Sequence, residues 1–192
     1  MIAIIKYNGG NVNSVQNALS RLNAESIITD DTEIIKQADK VIFPGVGEAS
    51  STMKILKEKG LDLLIPTLTQ PVLGICLGMQ LMCRDNEEGN TQGMGIFDIE
   101  VKKFPTNDVV PHMGWNTLSD FTSGLFSGIT VDDDMYFVHS YYCELSENTT
   151  SVCNYILPFS ASLQKDNFYA VQFHPEKSGD VGSRLLENFL KL

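Results

Sequence analysis

The chain has 192 residues with 43% hydrophobic content, which is enough for one ordinary globular domain with a substantial core. Its 24 acidic and 14 basic residues give a formal net charge of -10. Because no cluster of lysine or arginine interrupts this acidic balance, nucleic acid and anionic membranes are not expected as partners.

The N-terminal segment and the cysteines indicate a cytoplasmic protein. Residues 1–6 form an apolar run that is too short for a signal-peptide core and lacks a basic leader, and no segment approaches transmembrane length. Without a secretory signal a disulfide framework is not expected, and the absence of a Cys-x-x-Cys pair argues against a zinc site. The cysteines are Cys76, Cys83, Cys143 and Cys153.

The first half of the chain alternates strand-like and helix-like segments. Strands are predicted at residues 2–7, 25–29, 41–43 and 71–75, and helices at residues 12–22, 32–38, 53–59 and 61–68. The turn at residues 8–11 precedes the first helix, for which Asn11 is a candidate N-cap. This alternation predicts a parallel sheet with helices on both faces.

The second half is richer in short strand-like runs separated by turn residues. They fall at residues 95–104, 109–116, 136–143, 152–157, 160–164 and 169–173, before a final helix at residues 181–190. Most of this half is expected to be antiparallel. The predicted fold is therefore a single α/β domain over residues 1–192, with an open, mostly parallel sheet flanked by helices and an antiparallel β-rich portion.

Residues 73–80 are typical of a nucleophile elbow, in which a buried strand turns sharply into a helix. Gly74 and Gly78 leave room for a tight turn around Cys76. The start of the following helix would favour a thiolate at this cysteine. The alternative interpretation is a small, buried, purely structural cysteine.

A second chemical motif, His174-Pro175-Glu176, follows the last predicted strand. In an extended chain, His174 and Glu176 project to the same side, so the carboxylate is expected beside the imidazole. Together with Cys76 they provide a nucleophile, a base and an orienting acid, the logic of a catalytic triad. This combination indicates acyl transfer through a thioester, whereas an isolated His-Pro-Glu is more often a surface or capping motif.

Acyl transfer requires donors for an oxyanion. One expected donor is the N–H of Leu77, directly after the nucleophile, and the second is the N–H of Val46 in the Gly45-Val46-Gly47 loop. Both segments follow strands of the parallel sheet, so they are expected to share one cleft. The flanking glycines suggest the hypothesis that the Val46 peptide reorients and switches activity.

The other histidines are weaker candidates for the base. His112 and His139 lie in apolar, strand-like surroundings, and neither has a carboxylate two residues away. We expect both to be hydrogen-bonded structural residues. The cysteines other than Cys76 lack an elbow and are expected to pack in the core.

These motifs resemble the class I (triad) glutamine amidotransferases, over essentially the whole chain. The resemblance rests on the elbow at residues 74–80 and on Phe173-His174-Pro175-Glu176. Further stretches are similar to the glutaminase subunits of imidazole glycerol phosphate synthases: residues 10–14, 44–47, 111–116, 136–141 and 177–179. The resemblance implies a flavodoxin-like fold.

The resemblance also implies an activity and a partner. Cys76 would hydrolyse glutamine to glutamate and ammonia without a cofactor, and the substrate would be held by Gly47, Gln80, Ser140 and Tyr141. The ammonia would pass, within a heterodimer, to a (β/α)₈-barrel cyclase subunit that makes imidazole glycerol phosphate and an aminoimidazole carboxamide ribotide in histidine biosynthesis. The residues expected at the interface with the cyclase are Asn11, Trp115 and Lys177.

The chain departs from the family pattern at Lys6, at Asn8 and at residues 48–51, which affects the expected detail of the partner contact. Three alternatives stay open at this point. They are a glutaminase serving another synthase, such as one making pyridoxal phosphate, a stand-alone cysteine hydrolase or deglycase of related fold, and a non-enzymatic glutamine-binding or scaffold subunit.

Overall fold

The computed structural model describes residues 1–7, 11–106 and 108–192. The predicted turn residues Asn8, Gly9 and Gly10 lie outside the described residues. The strands of the described chain are β1 (Ile2–Ile5), β2 (Ser26–Thr29), β3 (Lys40–Gly45), β4 (Val72–Cys76), β5 (Cys83–Asn86), β6 (Thr91–Gln92), β7 (Phe97–Lys103), β8 (His112–Thr117), β9 (Asp134–His139), β10 (Tyr141–Cys143), β11 (Thr149–Asn154), β12 (Pro158–Lys165) and β13 (Phe168–Val171). The helices are α1 (Val12–Arg21), α2 (Thr32–Gln37), α3 (Ala49–Glu58), α4 (Leu61–Leu64), α5 (Leu77–Met82) and α6 (Gly179–Leu190).

The main sheet has the strand order β2-β1-β3-β4-β13-β12-β11. Its first five strands are parallel, and β12 and β11 add antiparallel strands at one edge. The parallel part has the order of a flavodoxin-like doubly wound sheet, with β13 as the fifth strand. The predicted α/β fold with an open, mostly parallel sheet is therefore confirmed.

Helices cover both faces of this sheet because the central strands are apolar on both sides. Along β1, Ala3 and Ile5 pack into one core together with α3, α4 and α5. Ile2 and Ile4 point to the other face and pack with α1 and α6. Alternate residues of a strand face opposite sides, so near-continuous burial of β1, β3 and β4 requires two covering layers.

The strands after α5 differ from the prediction in two details. A small sheet, β10-β7-β5-β6, contains two strands that were not predicted, because β5 and β6 are short and largely polar. The predicted strand at residues 136–143 is broken at Ser140, so β9 pairs with β8 while β10 pairs with β7. Strand β13 is parallel to β4, although its other neighbour is antiparallel.

Helix α5 lies directly against strands β3 and β4 at its first turn. A Cβ atom on Gly78 would lie 2.0 Å from the Phe43 carbonyl oxygen, and one on Gly45 would lie 2.5 Å from the Gly78 nitrogen. Glycine at these positions therefore allows a helix to begin immediately after the strand end.

Among the helices of the described residues, none is both long and apolar enough to cross a membrane.

Replacing Gly78 by alanine should destabilise the fold by about 3 kcal/mol, because the new methyl group meets main-chain atoms that are held by the sheet. Urea unfolding followed by circular dichroism measures this loss. Gly124→Ala is the matched control, since a Cβ there meets nothing within 4 Å in the described structure and the stability should be almost unchanged. Equal unfolding midpoints for the two variants would contradict the close approach.

Candidate active site

A cavity of about 320 Å³ opens at the carboxyl ends of β3 and β4. The sequence-predicted residues that line it are Val46, Gly47, Cys76, Leu77, Gln80, Ser140, Tyr141 and His174. The lining also includes four residues that were not predicted as functional: Glu88, Pro111, Val138 and His139. The break between β9 and β10 is what brings residues 138–141 to this site.

The backbone of Cys76 has the strained geometry of an elbow. Its φ of 54° and ψ of -109° are unusual for a residue with a side chain, and α5 begins at the next residue. The sulfur is close to the Gln172 amide nitrogen at 3.6 Å and to the Val138 carbonyl oxygen at 3.9 Å. The Leu77 N–H is the first of α5 and has no acceptor within the helix, so it is available near the sulfur.

His174 and Glu176 form a buried pair beside Cys76. The His174 Nδ1 and Glu176 Oε1 atoms are 2.8 Å apart, and Asn11 Nδ2 donates to the same carboxylate oxygen at 2.9 Å. The predicted extended geometry is wrong, because Pro175–Lys177 forms a 3₁₀ turn. This turn nevertheless brings the carboxylate back to the imidazole. Asn11 occupies the N-cap position of α1, but its side chain makes no capping bond within the described residues and orients Glu176 instead.

The turn is held in place by strand β9. The Tyr136 carbonyl accepts the His174 N–H at 2.9 Å, and the Tyr136 N–H donates to Ser178 Oγ at 3.0 Å. Ser178 Oγ in turn donates to the His174 carbonyl at 2.7 Å. The histidine ring is thus positioned by main-chain contacts from a strand that also lines the cavity.

The electrostatics of the pair favour an imidazolium and a carboxylate. Burial by itself would lower the pKa of His174, but the adjacent Cys76 and Glu176 raise that pKa to about 10. Burial opposes ionisation of Glu176 as well, yet the hydrogen bonds and charge of His174 and the Asn11 amide lower its pKa. Two buried atoms, His174 Nε2 and Glu176 Oε2, have no hydrogen-bond partner in the described residues. The free Nε2 belongs to a ring that lines the cavity and is available for proton exchange there.

The loop after β3 is held from beneath by Tyr7. The Tyr7 hydroxyl donates to the Pro44 carbonyl at 2.9 Å. Burial raises the pKa of Tyr7, an effect that the nearby Val46 backbone N–H partly opposes. Gly47 has a φ of 113°, and no atom of the described residues lies within 4 Å of a Cβ built on it. The loop is thus anchored to Tyr7 at Pro44 and unobstructed at Gly47.

Glu88 is the acidic side chain that lines the cavity. Its Oε2 accepts the Ala49 N–H at 2.9 Å, and burial raises its pKa although this hydrogen bond lowers it. Sequence reasoning missed Glu88 because it lies in a polar turn with no motif around it. The Glu88–Asn90 turn packs against the start of α3, where a Cβ on Gly89 would meet Glu48 and Ser50.

His112 and His139 form a buried hydrogen-bonded chain, as expected for structural residues. The Tyr141 carbonyl can only accept, so His139 carries its proton on Nδ1, 2.7 Å away, and its Nε2 is an acceptor. His112 Nδ1, 3.0 Å from that Nε2, must then be the donor. Burial lowers the pKa of His112 to about 4 and, with the charges of His112 and His174, lowers that of His139 to about 3.

The three residues expected to contact a partner lie in different environments. Trp115 is 56% exposed on β8, and its ring packs edge-on against Tyr136 with a centroid distance of 5.8 Å. Lys177 is exposed directly after Glu176, and the described residues offer its ammonium no ion pair. Asn11 is half-buried against the Glu176 carboxylate.

Comparison with known proteins identifies relatives over the full length. A family model described as glutamine amidotransferase class-I matches residues 3–192. A Bacteroides fragilis protein named imidazole glycerol phosphate synthase subunit HisH is 61% identical over 194 residues, covering 100% of this chain and 99% of its own length. A Legionella pneumophila protein named imidazole glycerol phosphate synthase subunit HisH 2 is 47% identical over 195 residues, covering 100% and 98%. The crystal structure of a glutamine amidotransferase shares the fold, with a TM-score of 0.77, 19% identity, and coverage of 100% of this chain and 98% of its own.

Histidine ring ¹⁵N spectra between pH 5 and 9 should separate the three histidines. His174 should remain an imidazolium at pH 8 because its pKa is raised to about 10, and Glu176→Gln should lower that pKa by removing the carboxylate. His112 and His139 should stay neutral with the proton on Nδ1 and thus serve as internal controls. Titration of His112 near its ordinary value, or an Nε2-protonated His139, would contradict this assignment.

Proposed function

Because the chain belongs to the class-I glutamine amidotransferases, we propose that it hydrolyses glutamine to glutamate and ammonia through a thioester on Cys76. Full-length relatives at 58–61% identity assign it to the glutaminase subunit of imidazole glycerol phosphate synthase, in histidine biosynthesis. The observation that carries the chemistry is the strained Cys76 sharing a cavity with a His174 ring oriented by Glu176.

The proposed reaction begins from an ion pair of Cys76 thiolate and His174 imidazolium, in which the former thiol proton resides on His174 Nε2, an atom with no hydrogen-bond partner within the described chain. The thiolate attacks the side-chain amide carbon of glutamine, and the imidazolium then gives its proton to the departing ammonia. Water, deprotonated by the neutral ring, hydrolyses the thioester to glutamate. Glu176 stabilises the imidazolium in both steps and keeps Nε2 turned towards the cavity.

We propose Leu77 and Val46 as the oxyanion donors. The Leu77 N–H is available at the start of α5, as the elbow requires. Val46 lines the same cavity, so its N–H is the second proposed donor. Gly45 is packed tightly against Gly78, whereas Gly47 is unobstructed, so any reorientation of the Val46 peptide would use the freedom on the Gly47 side. Activity would then depend on the state of this loop.

The cavity, at about 320 Å³, has the volume expected for a single amino acid. We propose that Gly47, Gln80, Ser140 and Tyr141 surround the bound glutamine. Glu88 would pair with its α-ammonium group, since the carboxylate lines the same cavity and offers the complementary charge. Gln80 would act mainly through its neighbours, because both its amide nitrogen and its oxygen already have protein partners.

The partner is proposed to be a (β/α)₈-barrel cyclase subunit that receives the ammonia and makes imidazole glycerol phosphate and an aminoimidazole carboxamide ribotide. Val46, which lines the cavity, is 36% exposed, and three further apolar side chains close in sequence to the cavity-lining Pro111 are exposed: Val109 at 70%, Met113 at 63% and Trp115 at 56%. An apolar surface of this kind is typical of a protein interface. Lys177 and Asn11, which adjoin Glu176, would connect this interface to the chemistry.

The alternatives are less well supported. The names of the most similar relatives that were found refer to imidazole glycerol phosphate synthase and not to a synthase of pyridoxal phosphate. An unpaired Cys76 in a strained elbow beside a charged His174 argues against a scaffold, because such strain is retained mainly at functional sites. The exposed apolar side chains of Val46, Val109, Met113 and Trp115 argue against a hydrolase that acts alone.

Glutamate release from glutamine tests the function and the partnership together. The purified protein should hydrolyse glutamine slowly, and addition of the cyclase barrel with its nucleotide ligand should stimulate it strongly. Cys76→Ala should lower the stimulated rate by about a thousandfold or more, since no nucleophile remains. Trp115→Ala should weaken the complex by about thirtyfold, as loss of a central aromatic anchor does, and keep the unstimulated rate.

The matched control for Trp115→Ala is Leu63→Ala, which truncates a 75% exposed side chain on α4, away from the cavity. Full activity without the barrel would support the stand-alone hydrolase, and no activity with or without it would support the scaffold.

Glu88→Gln should raise the KM for glutamine about tenfold or more and change kcat little, because it removes the charge that pairs with the substrate ammonium but retains an acceptor for Ala49. Steady-state kinetics of the stimulated enzyme measure this split. Glu87→Gln is the control, as the neighbouring carboxylate is exposed and accepts from the Lys103 N–H. An unchanged KM in Glu88→Gln would remove Glu88 from the substrate site.

A further inference from the structure

A buried amide that the catalytic triad does not include contacts the nucleophile. Gln172 follows β13, which pairs in parallel with the strand that carries Cys76, and it is fully buried. Its Nε2 lies 3.6 Å from the Cys76 sulfur. Within the described residues, the other polar neighbours of that sulfur are the Val138 carbonyl oxygen at 3.9 Å and the His174 ring.

The orientation of the Gln172 amide is determined by its neighbours. The Tyr141 carbonyl can only accept, so the Gln80 group 3.1 Å from it must be the amide nitrogen. The same nitrogen donates to Gln172 Oε1 at 3.0 Å, and Gln80 Oε1 accepts from Asn86 Nδ2 at 3.3 Å. Because Oε1 of Gln172 is thereby occupied, its NH₂ group must face the sulfur.

We propose that Gln172 is a catalytic residue that donates a hydrogen bond to the Cys76 thiolate, with Gln80 and Asn86 as positioning residues that hold its amide in register. The proposal rests on the proposed function only in taking Cys76 as the nucleophile. It adds to the triad a neutral hydrogen-bond donor, Gln172, which directly follows β13.

The surroundings of the sulfur distinguish its two protonation states. A neutral thiol can donate to the Val138 carbonyl oxygen, whereas a thiolate is repelled by that oxygen and attracted by the Gln172 N–H. When the thiol proton moves to His174 Nε2, the sulfur can no longer donate to the Val138 carbonyl oxygen and instead accepts a hydrogen bond from the Gln172 N–H. The Gln172 amide therefore favours the reactive form.

A purely structural Gln172 would instead serve only to satisfy Gln80. The two roles differ in what happens when the donor is removed without a change in shape. Gln172→Met keeps a similar length and volume in a fully buried position, so packing is largely retained while the N–H group is lost.

The test is the pH dependence of Cys76 alkylation by iodoacetamide, in which the thiolate displaces iodide and forms a thioether. Peptide mass mapping follows Cys76 alone, because Cys83, Cys143 and Cys153 are fully buried. In Gln172→Met the midpoint of the rate profile should move up by about one pH unit, so that alkylation near neutral pH is about tenfold slower. Gln164→Met, the same change on neighbouring β12, should leave the midpoint unchanged.

A midpoint in Gln172→Met equal to that of the unmodified protein would overturn the proposal, whatever the change in thermal stability. Should that variant fail to fold, Gln80→Met provides a second test. It removes the group that orients the Gln172 amide, so the midpoint should rise by a smaller amount, and an unchanged midpoint would again refute the proposal.

The assay contains no glutamine and no partner. Failure of the glutaminase function would therefore appear as absent glutamate release with the alkylation shift intact, which is distinct from failure of the Gln172 proposal.

Discussion

The contact on which the site depends is the close approach of α5 to strand β3. The Gly78 α-carbon lies so near the Phe43 carbonyl that a helix with any side chain there would have to move away from the sheet. With glycine at this position, α5 begins at the residue immediately after Cys76, and the chain must turn within one residue. This turn requires the strained positive φ of Cys76, and the packing of β3, β4 and α5 around it maintains this conformation. The thiol is consequently exposed to the cavity while its backbone is held rigidly.

A second constraint is the need to satisfy polar groups inside the protein. Glu176 is tied to His174 and Asn11, Gln172 to Gln80, and His139 to the Tyr141 carbonyl, so nearly every buried polar group near the sulfur has a defined donor or acceptor role. The exceptions, His174 Nε2 and Glu176 Oε2, belong to the paired His174 and Glu176 in the described structure. Unsatisfied atoms are costly to bury, and Nε2 is the atom to which the proposed function assigns proton exchange.

Much of the fold and part of the site were predictable from local patterns. The alternation of apolar strands and amphipathic helices up to Cys76 predicted the parallel sheet, since each strand must be covered on both faces. The elbow and His174-Pro175-Glu176 were recognisable because their chemistry requires particular residues at short spacing. The small polar strands β5 and β6 were not, because β5 is a strand through its pairing with β7, and β6 through its pairing with β5, and not through their own composition. The extended geometry expected for His174-Pro175-Glu176 also failed, because contacts with Tyr136 stabilise a 3₁₀ turn.

By itself, the sequence determined the α/β class and the family resemblance, and it predicted Cys76 and His174 as nucleophile and base, since each of these motifs consists of residues close together in the chain. The tertiary structure alone decided that Glu88, Gln172 and Asn11 belong to the same site, and that the chain breaks at Ser140 to line it. These residues come from distant segments with no shared motif. Their proximity follows from the order of strands in the sheet, and a pattern of residues along the chain carries no direct information about which strand ends meet.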